Sequence, residues 1–311
     1  MKKIKIGLLS GGSSPEKNVS FMTRQKILES INLEKYEILE IEIPNSKDKE
    51  WIKTLIDSKP DVVLSALHGG KGENGAVQGL LECLEIPYVG SKVLGSAIGM
   101  DKYLSKEIMK ASYIPVPDDF FIKKEENHLL LIDKIIHMGF PLVVKPNLGG
   151  SSIGISFVDS KKELISAIEL VKNMNDDVLI EKFIHGREVT CGVVEKNSEL
   201  FVMSVLDIAT TEGFYDYKAR YEDDRSLIHF STLPEFLQTM IQEIAKKVFK
   251  VLRCNGYARV DMIVCEEQVY VLEINTLPGM TYRSLIPKAI EGKGDAFQDF
   301  LDCLIQEELK R

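Results

Sequence analysis

The chain has 311 residues, 44% of them apolar, and 39 basic against 47 acidic side chains give a net charge of −8. This length allows two or three packed domains, and the composition is that of a globular protein rather than a disordered or fibrous one. A mildly acidic surface is unsuited to gripping nucleic acid or anionic lipid. Any phosphate that the protein binds must therefore be held by a local basic site.

The five cysteines are widely spaced and form no C-x-x-C pair. Their odd number and spacing favour free thiols in a reducing compartment, so we expect a cytoplasmic protein. The apolar run after the basic start MKKIK is too short for the core of a signal peptide, and no segment approaches membrane-spanning length. We therefore expect neither a secretory leader nor a membrane partner.

Strands and helices alternate through the first part of the chain. The apolar spacing predicts strands over 4–9, 36–43 and 61–67 and helices over 19–31 and 49–58. This βαβ order is typical of a doubly wound parallel sheet, and we expect this first domain to end near Gly99.

Two glycine-rich loops, near Gly11 and near Gly70, follow the first and third of these strands. Ligands of open α/β sheets bind beyond the carboxyl ends of strands, so we expect both loops to face one crevice. His68 is placed either to point at a bound molecule or to satisfy a backbone carbonyl. Glu16 follows Ser13-Ser14-Pro15, and this spacing by itself favours a helix cap. A G-x-G-x-x-G fingerprint is missing after the first strand, which disfavours a nicotinamide dehydrogenase.

Lys145 lies near the end of an apolar strand predicted over 140–146, and the loop over 147–154 is rich in glycine and serine. Such a loop is either a plain hairpin turn or a cradle for phosphate oxygens, with Lys145 as a positive charge behind it. It is not a Walker A loop, because no G-K-[ST] closes it. In the next predicted strand, over 178–184, Glu181 and neighbouring backbone groups could read the edge of a purine.

Three tyrosines accompany Lys218 and Arg220 in the segment FYDYKARY, over 214–221. This composition is too polar for a buried strand and predicts a mobile loop over a site. An antiparallel pair of strands precedes it, over 188–194 and 200–207, and a long amphipathic helix follows over 234–252.

The segment over 257–280 reads YARVDMIVCEEQVYVLEINTLPGM and predicts a β-hairpin with one buried face. Arg259 and Asp261 share a face of the first strand, and Glu273 and Asn275 share a face of the second. Folding the hairpin brings Asp261 roughly opposite Glu273. Carboxylates beside apolar strands favour a site for a hard divalent cation carrying phosphate, and a solvated cross-strand salt-bridge set is the alternative.

Taken in order, these motifs resemble those of the D-alanine:D-alanine ligases of the ATP-grasp superfamily. The motifs are GGSSPEKNVS, ALHGGKGENGAVQG, MDK, PLVVKPNLGGSSIGI, LIEKFI, FYDYKARY, ARVDM and LEINTLPGMT. The resemblance implies an α/β protein in which an ATP-grasp fold is preceded by an N-terminal doubly wound parallel sheet domain. Its expected divisions are a substrate-binding domain over 1–99, a central ATP-grasp subdomain over 100–189 and a catalytic subdomain over 190–311.

The resemblance also implies a reaction. ATP phosphorylates the carboxylate of one D-alanine, and the amine of a second D-alanine attacks the acyl phosphate. The products are D-alanyl-D-alanine, a peptidoglycan precursor, together with ADP and phosphate. The expected cofactors are ATP and two Mg²⁺ or Mn²⁺ ions, and the expected assembly is a homodimer without a nucleic-acid partner.

Residue roles are carried over by the same resemblance. The metal ligands would be Asp261, Glu273 and Asn275. The nucleotide contacts would be Lys102, Lys145, Ser151, Ser152, Glu181, Lys182, Phe183, Ile184, Glu188, Lys218 and Arg220, with 151–154 over the γ-phosphate. The catalytic and substrate residues would be Glu16, His68, Ser151, Tyr221, Arg259, Gly279 and Ser284.

Glu16 would anchor the first ammonium, hydrogen-bonded with Ser151 and Tyr221, and this interpretation replaces the helix cap. His68 would orient the first D-alanine. Arg259 and the Gly279 N–H would form an oxyanion site, while Ser284 would take the second carboxylate.

Two departures from the family pattern stand out. Arg220 occupies a position that is usually lysine, and Ser231-Thr232-Leu233-Pro234 stands where many members read Pro-Ala. Tyr221 favours an amine as the second substrate, because members that make depsipeptides lack it. A related ligase using D-serine or D-lactate is the closest rival. A non-catalytic nucleotide sensor is disfavoured, because a sensor has no need of Arg259 as an oxyanion donor.

Overall fold

The computed structural model describes residues 2–210, 226–292 and 294–311. Within these ranges a three-stranded, a four-stranded and a six-stranded sheet follow one another along the chain. The mixed α/β class predicted from the sequence is confirmed. No helix in these ranges combines the length and apolar character needed to cross a bilayer.

The first sheet is parallel, with strand order β2-β1-β3, as the βαβ alternation predicted. Its central strand is buried on both faces, which explains why it reads as a nearly continuous apolar run. The elements are β1 (Ile4–Gly11), α1 (Lys17–Ser30), β2 (Tyr36–Ile43), α2 (Glu50–Ser58), β3 (Val62–Ser65), α3 (Ala76–Cys83) and α4 (Val93–Met100).

The second sheet is antiparallel, with order β4-β7-β5-β6. A 3-10 turn at His128–Leu130 precedes a short helix at Ile132–Ile136. The elements are α5 (Lys102–Ala111), β4 (Asp119–Ile122), α6 (Ile132–Ile136), β5 (Leu142–Pro146), β6 (Ser156–Val158), α7 (Lys161–Asn173) and β7 (Val178–Lys182).

The third sheet is antiparallel with order β11-β10-β8-β12-β13, and β9 pairs with β8. The predicted antiparallel pair is present, since β8 pairs with both β9 and β10. The elements are β8 (Arg187–Lys196), β9 (Glu199–Val202), β10 (Leu206–Thr210), β11 (Ser226–Phe230), α8 (Glu235–Val251), β12 (Tyr257–Cys265), β13 (Gln268–Asn275), α9 (Leu285–Glu291) and α10 (Phe297–Leu309).

The two ends of the chain share one hydrophobic core. Leu301, Leu304 and Ile305 of α10 belong to the same buried cluster as Ile6 and Leu8 of β1. The last helices therefore pack against the N-terminal sheet, which fixes the β12–β13 hairpin relative to the loops that follow β1 and β3. The divisions at residues 99 and 189 stay a prediction.

Candidate active site

The β12–β13 hairpin has the predicted register. Arg259 pairs with Asn275 and Asp261 pairs with Glu273, so the four polar side chains share one face. A bulge follows Asp261, and its neighbour Met262 then pairs with a residue one step further along than strict alternation gives. The bulge confines the polar face to a short stretch of the hairpin and returns the next residues to the core.

Buried donors surround the Asp261 carboxylate. Arg259 donates to it through two nitrogens, at 2.9 Å to Oδ1 and 2.7 Å to Oδ2, and Thr190 Oγ1 donates to Oδ1 at 2.6 Å. On the other strand of the hairpin, Glu273 Oε2 lies 3.4 Å from Nζ of Lys102, which is at the start of α5. Arg259 and Asp261 thus form a buried ion pair within one strand, rather than the solvated cross-strand set that was the alternative.

The chemistry of Asp261, Glu273 and Asn275 fits a hard cation. The set offers two carboxylates and one amide oxygen, which are the ligand types that Mg²⁺ prefers. The Leu277 N–H donates to Asn275 Oδ1 at 3.1 Å, which fixes the amide with its oxygen toward the hairpin end. Over the described ranges, no group of three or more His, Cys, Asp or Glu residues is placed to hold a metal. This set therefore depends on its asparagine.

A cavity of about 880 Å³ lies between the second and third sheets. We call it the nucleotide-side cavity. Its described wall contains four basic and four acidic side chains, namely Lys102, Lys145, Lys182, Arg187, Glu181, Glu188, Asp261 and Glu273. Phe183 and Ile184 supply apolar surface beside them, and the 151–153 part of the serine-rich loop closes one side.

Glu181 is held between two lysines at the edge of this cavity. Lys106 Nζ lies 2.8 Å from Oε1, and Lys145 Nζ lies 2.8 Å from Oε2. Burial alone would raise the pKa of Glu181, but the two ammonium charges outweigh it and hold the pKa below its ordinary value. Lys106 has no place in the predicted site, although it lies one helical turn after Lys102.

The amine of Lys182 binds two backbone carbonyls of residues that do not line this cavity. It donates to the Gly139 carbonyl at 2.7 Å and to the Phe140 carbonyl at 3.3 Å. Lys182 can therefore face the cavity with its backbone and its aliphatic stem rather than with its charge.

The ring of Phe183, the next residue, contacts the rings of Phe157 and His185 edge to face.

A second cavity, of about 410 Å³, lies beyond the ends of β1 and β3. We call it the substrate-side cavity. Ser14 Oγ donates to the His68 carbonyl, so the two glycine-rich loops face one crevice as predicted. Three carboxylates line its described wall, from Glu16, Glu73 and Glu273.

Glu16 sits at the start of α1 but makes no side-chain cap. Its carboxylate instead accepts a hydrogen bond from Ser151 Oγ, which is the partner that the resemblance implied. A Cβ at Gly69 would lie 2.4 Å from Glu16 Oε2, and one at Gly150 would lie 3.0 Å from it. Two loops distant in sequence thus enclose this carboxylate closely, and the helix-cap interpretation is wrong.

Glu73 is a site residue that the sequence reading missed. Burial, reinforced by the nearby Glu16 carboxylate, raises its pKa to about 7. The Gly69 N–H donates to its Oε2 at 3.1 Å. The available signal was its position inside the second glycine-rich loop, between Gly72 and Asn74-Gly75.

His68, Gly279 and Ser284 come together at the end of the hairpin. A Cβ at Gly279 would lie 3.1 Å from Ser284 Oγ and 3.4 Å from His68 Cε1. Burial and then the charge of Arg259 lower the pKa of His68 to about 4, so the ring is neutral near pH 7. Its Nε2 lies 3.2 Å from Thr23 Oγ1.

The two cavities share a wall. Both are lined by Lys102, Gly149, Gly150, Ser151, Ile153 and Glu273. Ser151 and Ser152 both adopt positive φ, at 48° and 59°, an uncommon backbone for residues with a side chain. This turn places the Ser151 hydroxyl on Glu16 while keeping the loop backbone beside the nucleotide-side cavity.

Three predicted residues, Lys218, Arg220 and Tyr221, lie outside the described residues. Next to that gap, Arg187 binds the buried carboxylate of Asp207 and donates to Thr232 Oγ1 at 2.6 Å. Thr232, which belongs to the segment that departs from the family pattern, is therefore a hydrogen-bond partner of Arg187 in the wall of the nucleotide-side cavity.

Comparison with known proteins agrees with this architecture. A family model described as the D-Ala D-Ala ligase C-terminus matches residues 105–306, and one described as the N-terminus matches residues 53–91. The chain belongs to the D-alanine–D-alanine ligase family. It is an ATP-grasp ligase by that membership, and its fold was predicted correctly.

Full-length relatives support the assignment. A D-alanine–D-alanine ligase of Bacillus anthracis is 40% identical over 99% of this chain and 98% of its own length. A crystal structure of the ligase from that organism complexed with ATP has a TM-score of 0.86, with 39% identity and coverage of 100% and 98%. The D-Ala:D-Ser ligase VanG of Enterococcus faecalis has a TM-score of 0.84 and 31% identity, with coverage of 99% and 100%.

Proposed function

We propose that this protein joins two D-alanine molecules into D-alanyl-D-alanine at the expense of ATP, for peptidoglycan precursor synthesis. The observation that carries the proposal is the shared wall of the two cavities at Lys102, Ser151 and Glu273. A nucleotide in the larger cavity and an amino acid in the smaller one would meet there. Phosphoryl transfer requires this juxtaposition of nucleophile and terminal phosphate.

The nucleotide-side cavity suits ATP. Glu181, Phe183, Ile184 and Glu188 would line the adenosine, and Lys102 and Lys145 would neutralise phosphate oxygens. Ser151 and Ser152 would hold the terminal phosphate with the loop backbone. The Bacillus anthracis ligase was solved in complex with ATP, which supports ATP as the nucleotide.

The substrate-side cavity suits the ammonium of the first D-alanine. The paired carboxylates Glu16 and Glu73 would attract it, and Ser151 keeps Glu16 in place. Neutral His68 would orient the molecule without repelling the ammonium. A D-alanine carboxylate oxygen would then form a bond to the γ-phosphorus while the bond to the β–γ bridging oxygen breaks, giving an acyl phosphate and ADP.

In the second half of the reaction, the amine of the second D-alanine attacks the acyl carbon. The amide bond forms, the bond to the phosphate oxygen breaks and a proton leaves the nitrogen. Arg259 and the Gly279 N–H would stabilise the negative charge that develops on the acyl oxygen, and Ser284 would hold the second carboxylate. Lys218, Arg220 and Tyr221 remain part of the proposal.

We assign Asp261, Glu273 and Asn275 to two Mg²⁺ or Mn²⁺ ions. When bound, such ions neutralise charge on the phosphates as phosphoryl transfer proceeds. We further propose that the protein is a cytoplasmic homodimer. Each chain would be divided after residues 99 and 189 into the three parts predicted from the sequence.

The test is phosphate release from ATP with magnesium, first with D-alanine alone and then with D-alanine plus D-serine or D-lactate. Products are identified by mass. We expect release with D-alanine alone and a dialanine product. The similarity to VanG makes D-serine the second candidate for the acceptor. If phosphate were released only when D-serine is present, the fold assignment would stand and the second substrate would be D-serine. If no acceptor gave phosphate release, a nucleotide sensor would be favoured.

A further inference from the structure

The cluster formed by Lys106, Glu181 and Lys145 contains more charge than its own pairing requires. Two ammonium groups share one carboxylate, one on each oxygen, and the three side chains are only 0%, 4% and 7% exposed. Buried ions are costly unless their charge is compensated. The cluster therefore carries one positive charge that an anion could neutralise.

The two lysines differ in what they can reach. Lys145 lies in the wall of the nucleotide-side cavity, whereas Lys106 does not line it. Lys106 is on α5 and is fully buried, with the Val271 carbonyl 3.5 Å from its amine as the other acceptor. Burial lowers its pKa, and the Glu181 carboxylate opposes that shift. Only Lys145 can therefore turn toward a phosphate without crossing the protein interior.

We propose that Lys106 is a positioning residue that stays on Glu181 and so releases Lys145 to the nucleotide phosphates. The inference rests on nucleotide binding in the proposed function. When the phosphates arrive, Lys145 exchanges one anionic partner for another. Glu181 remains compensated because Lys106 keeps its contact with Oε1.

Removal of Lys106 should prevent Lys145 from leaving Glu181 for the nucleotide phosphates. In Lys106→Met the Glu181 carboxylate has Lys145 as its nearest ammonium, and moving Lys145 would leave a buried carboxylate with far weaker compensation. The variant should fold, because Met keeps the apolar length of the side chain and removes the surplus charge. Lys145 then stays paired with Glu181 and no longer contacts the nucleotide phosphates.

The experiment measures binding of ADP with magnesium, and of adenosine, by calorimetry and competition. We expect Lys106→Met to weaken ADP about tenfold or more while adenosine changes less than about twofold, since only ADP carries phosphates. In steady-state assays the KM for ATP should rise while the KM for D-alanine stays constant. Lys246→Met is the control, because Lys246 lies on helix α8, pairs with the exposed Glu243 carboxylate and lines neither cavity.

A second substitution supplies the decisive comparison. Glu181→Gln in the Lys106→Met background removes the carboxylate that retains Lys145, so ADP affinity should recover toward that of Glu181→Gln alone. Lys106→Gln is measured in parallel, so that misfolding of one variant does not remove the test. Equal weakening of ADP and adenosine in Lys106→Met, or a double variant that binds ADP more weakly than Glu181→Gln alone, would overturn the proposal.

The same data separate this inference from the proposed function. If the unmodified protein binds ADP but forms no dialanine, the reaction assignment falls and the lysine exchange is still measured. If dialanine forms but Lys106→Met binds ADP normally, the exchange is wrong and the reaction stands.

Discussion

The two cavities differ in the charges that are placed beside them. In the nucleotide-side cavity, the buried Glu181 carboxylate is matched by ammonium groups carried on a helix and a strand. In the substrate-side cavity, the Glu16 and Glu73 carboxylates face one another from loops, and the pKa of Glu73 rises to about 7. One side is therefore built to accept further negative charge and the other to accept a cation.

The difference also concerns how the groups are held. The lysines depend on regular elements and on burial, whereas Glu16 depends on close approach by loop glycines at positions 69 and 150. Binding of an ammonium would relieve the repulsion between the two carboxylates. We therefore expect substitutions on each side to act on different Michaelis constants, and substitutions in the shared wall to act on both.

The largest effect is expected from Glu273→Gln, because Glu273 lines both cavities and belongs to the proposed metal ligands. Loss of the carboxylate charge should weaken magnesium and lower kcat by more than about 10²-fold, with the fold intact. The measurements are ADP release and Mn²⁺ binding. Glu267→Gln in the exposed turn of the same hairpin is the control. Unchanged ADP release together with unchanged Mn²⁺ affinity would contradict the metal assignment.

A substitution confined to the substrate side is Gly69→Ala. The new Cβ would meet Glu16 Oε2 at 2.4 Å, so the carboxylate must move. We expect kcat/KM for D-alanine to fall about 10²-fold, since displacement of a binding group by about 1 Å has that order of effect. The KM for ATP should change little.

Backbone strain needs a separate control in this experiment, because Gly69 has a φ of +65°. Gly294 has a φ of +77° and nothing within 4 Å of its ideal Cβ. Gly294→Ala thus reproduces the strain without the clash. Equal losses in the two variants would show that Glu16 is not the group being displaced.

The raised pKa of Glu73 makes a prediction about stability. Its value is about 7 in the folded protein against 4.5 for an ordinary glutamate, so ionisation opposes folding as pH rises between these values. Glu73→Gln should therefore stabilise the protein by about 2 kcal/mol near pH 8 and by much less near pH 5. Urea unfolding at both values measures this. A constant difference between the two conditions would mean that Glu73 does not carry the shifted titration.

The sequence predicted the hairpin site better than the loop site. Alternation along β12 and β13 determines which side chains share a face, so Asp261 and Glu273 could be placed opposite each other from spacing alone. The bulge after Asp261 depends on packing of the strand faces, which alternation does not encode. Local spacing predicted a helix cap for Glu16. Its role in the substrate-side cavity is recognised only from its contact with Ser151, a residue far away in sequence.

Glu73 and Lys106 show the same limitation. Each is an ordinary charged residue in its local pattern, one in a glycine-rich loop and one on an amphipathic helix. Their significance comes from partners brought together by tertiary packing, namely Glu16 for Glu73 and Glu181 for Lys106. Pair distances of this kind cannot be read from spacing, because the intervening segments are long.

The smallest effect is expected from Ser151→Ala, and its neighbour sharpens the contrast between the cavities. Ser151 donates to Glu16 and lines both cavities, whereas Ser152 lines only the nucleotide side among the described residues. Ser151→Ala should lower kcat/KM for D-alanine about tenfold, as expected for one hydrogen bond to a charged group, and should also change the KM for ATP because Ser151 lies in the shared wall. Ser152→Ala should change the KM for ATP and leave D-alanine unaffected. If Ser152→Ala also lowered kcat/KM for D-alanine, the two serines would not divide the loop between nucleotide and substrate.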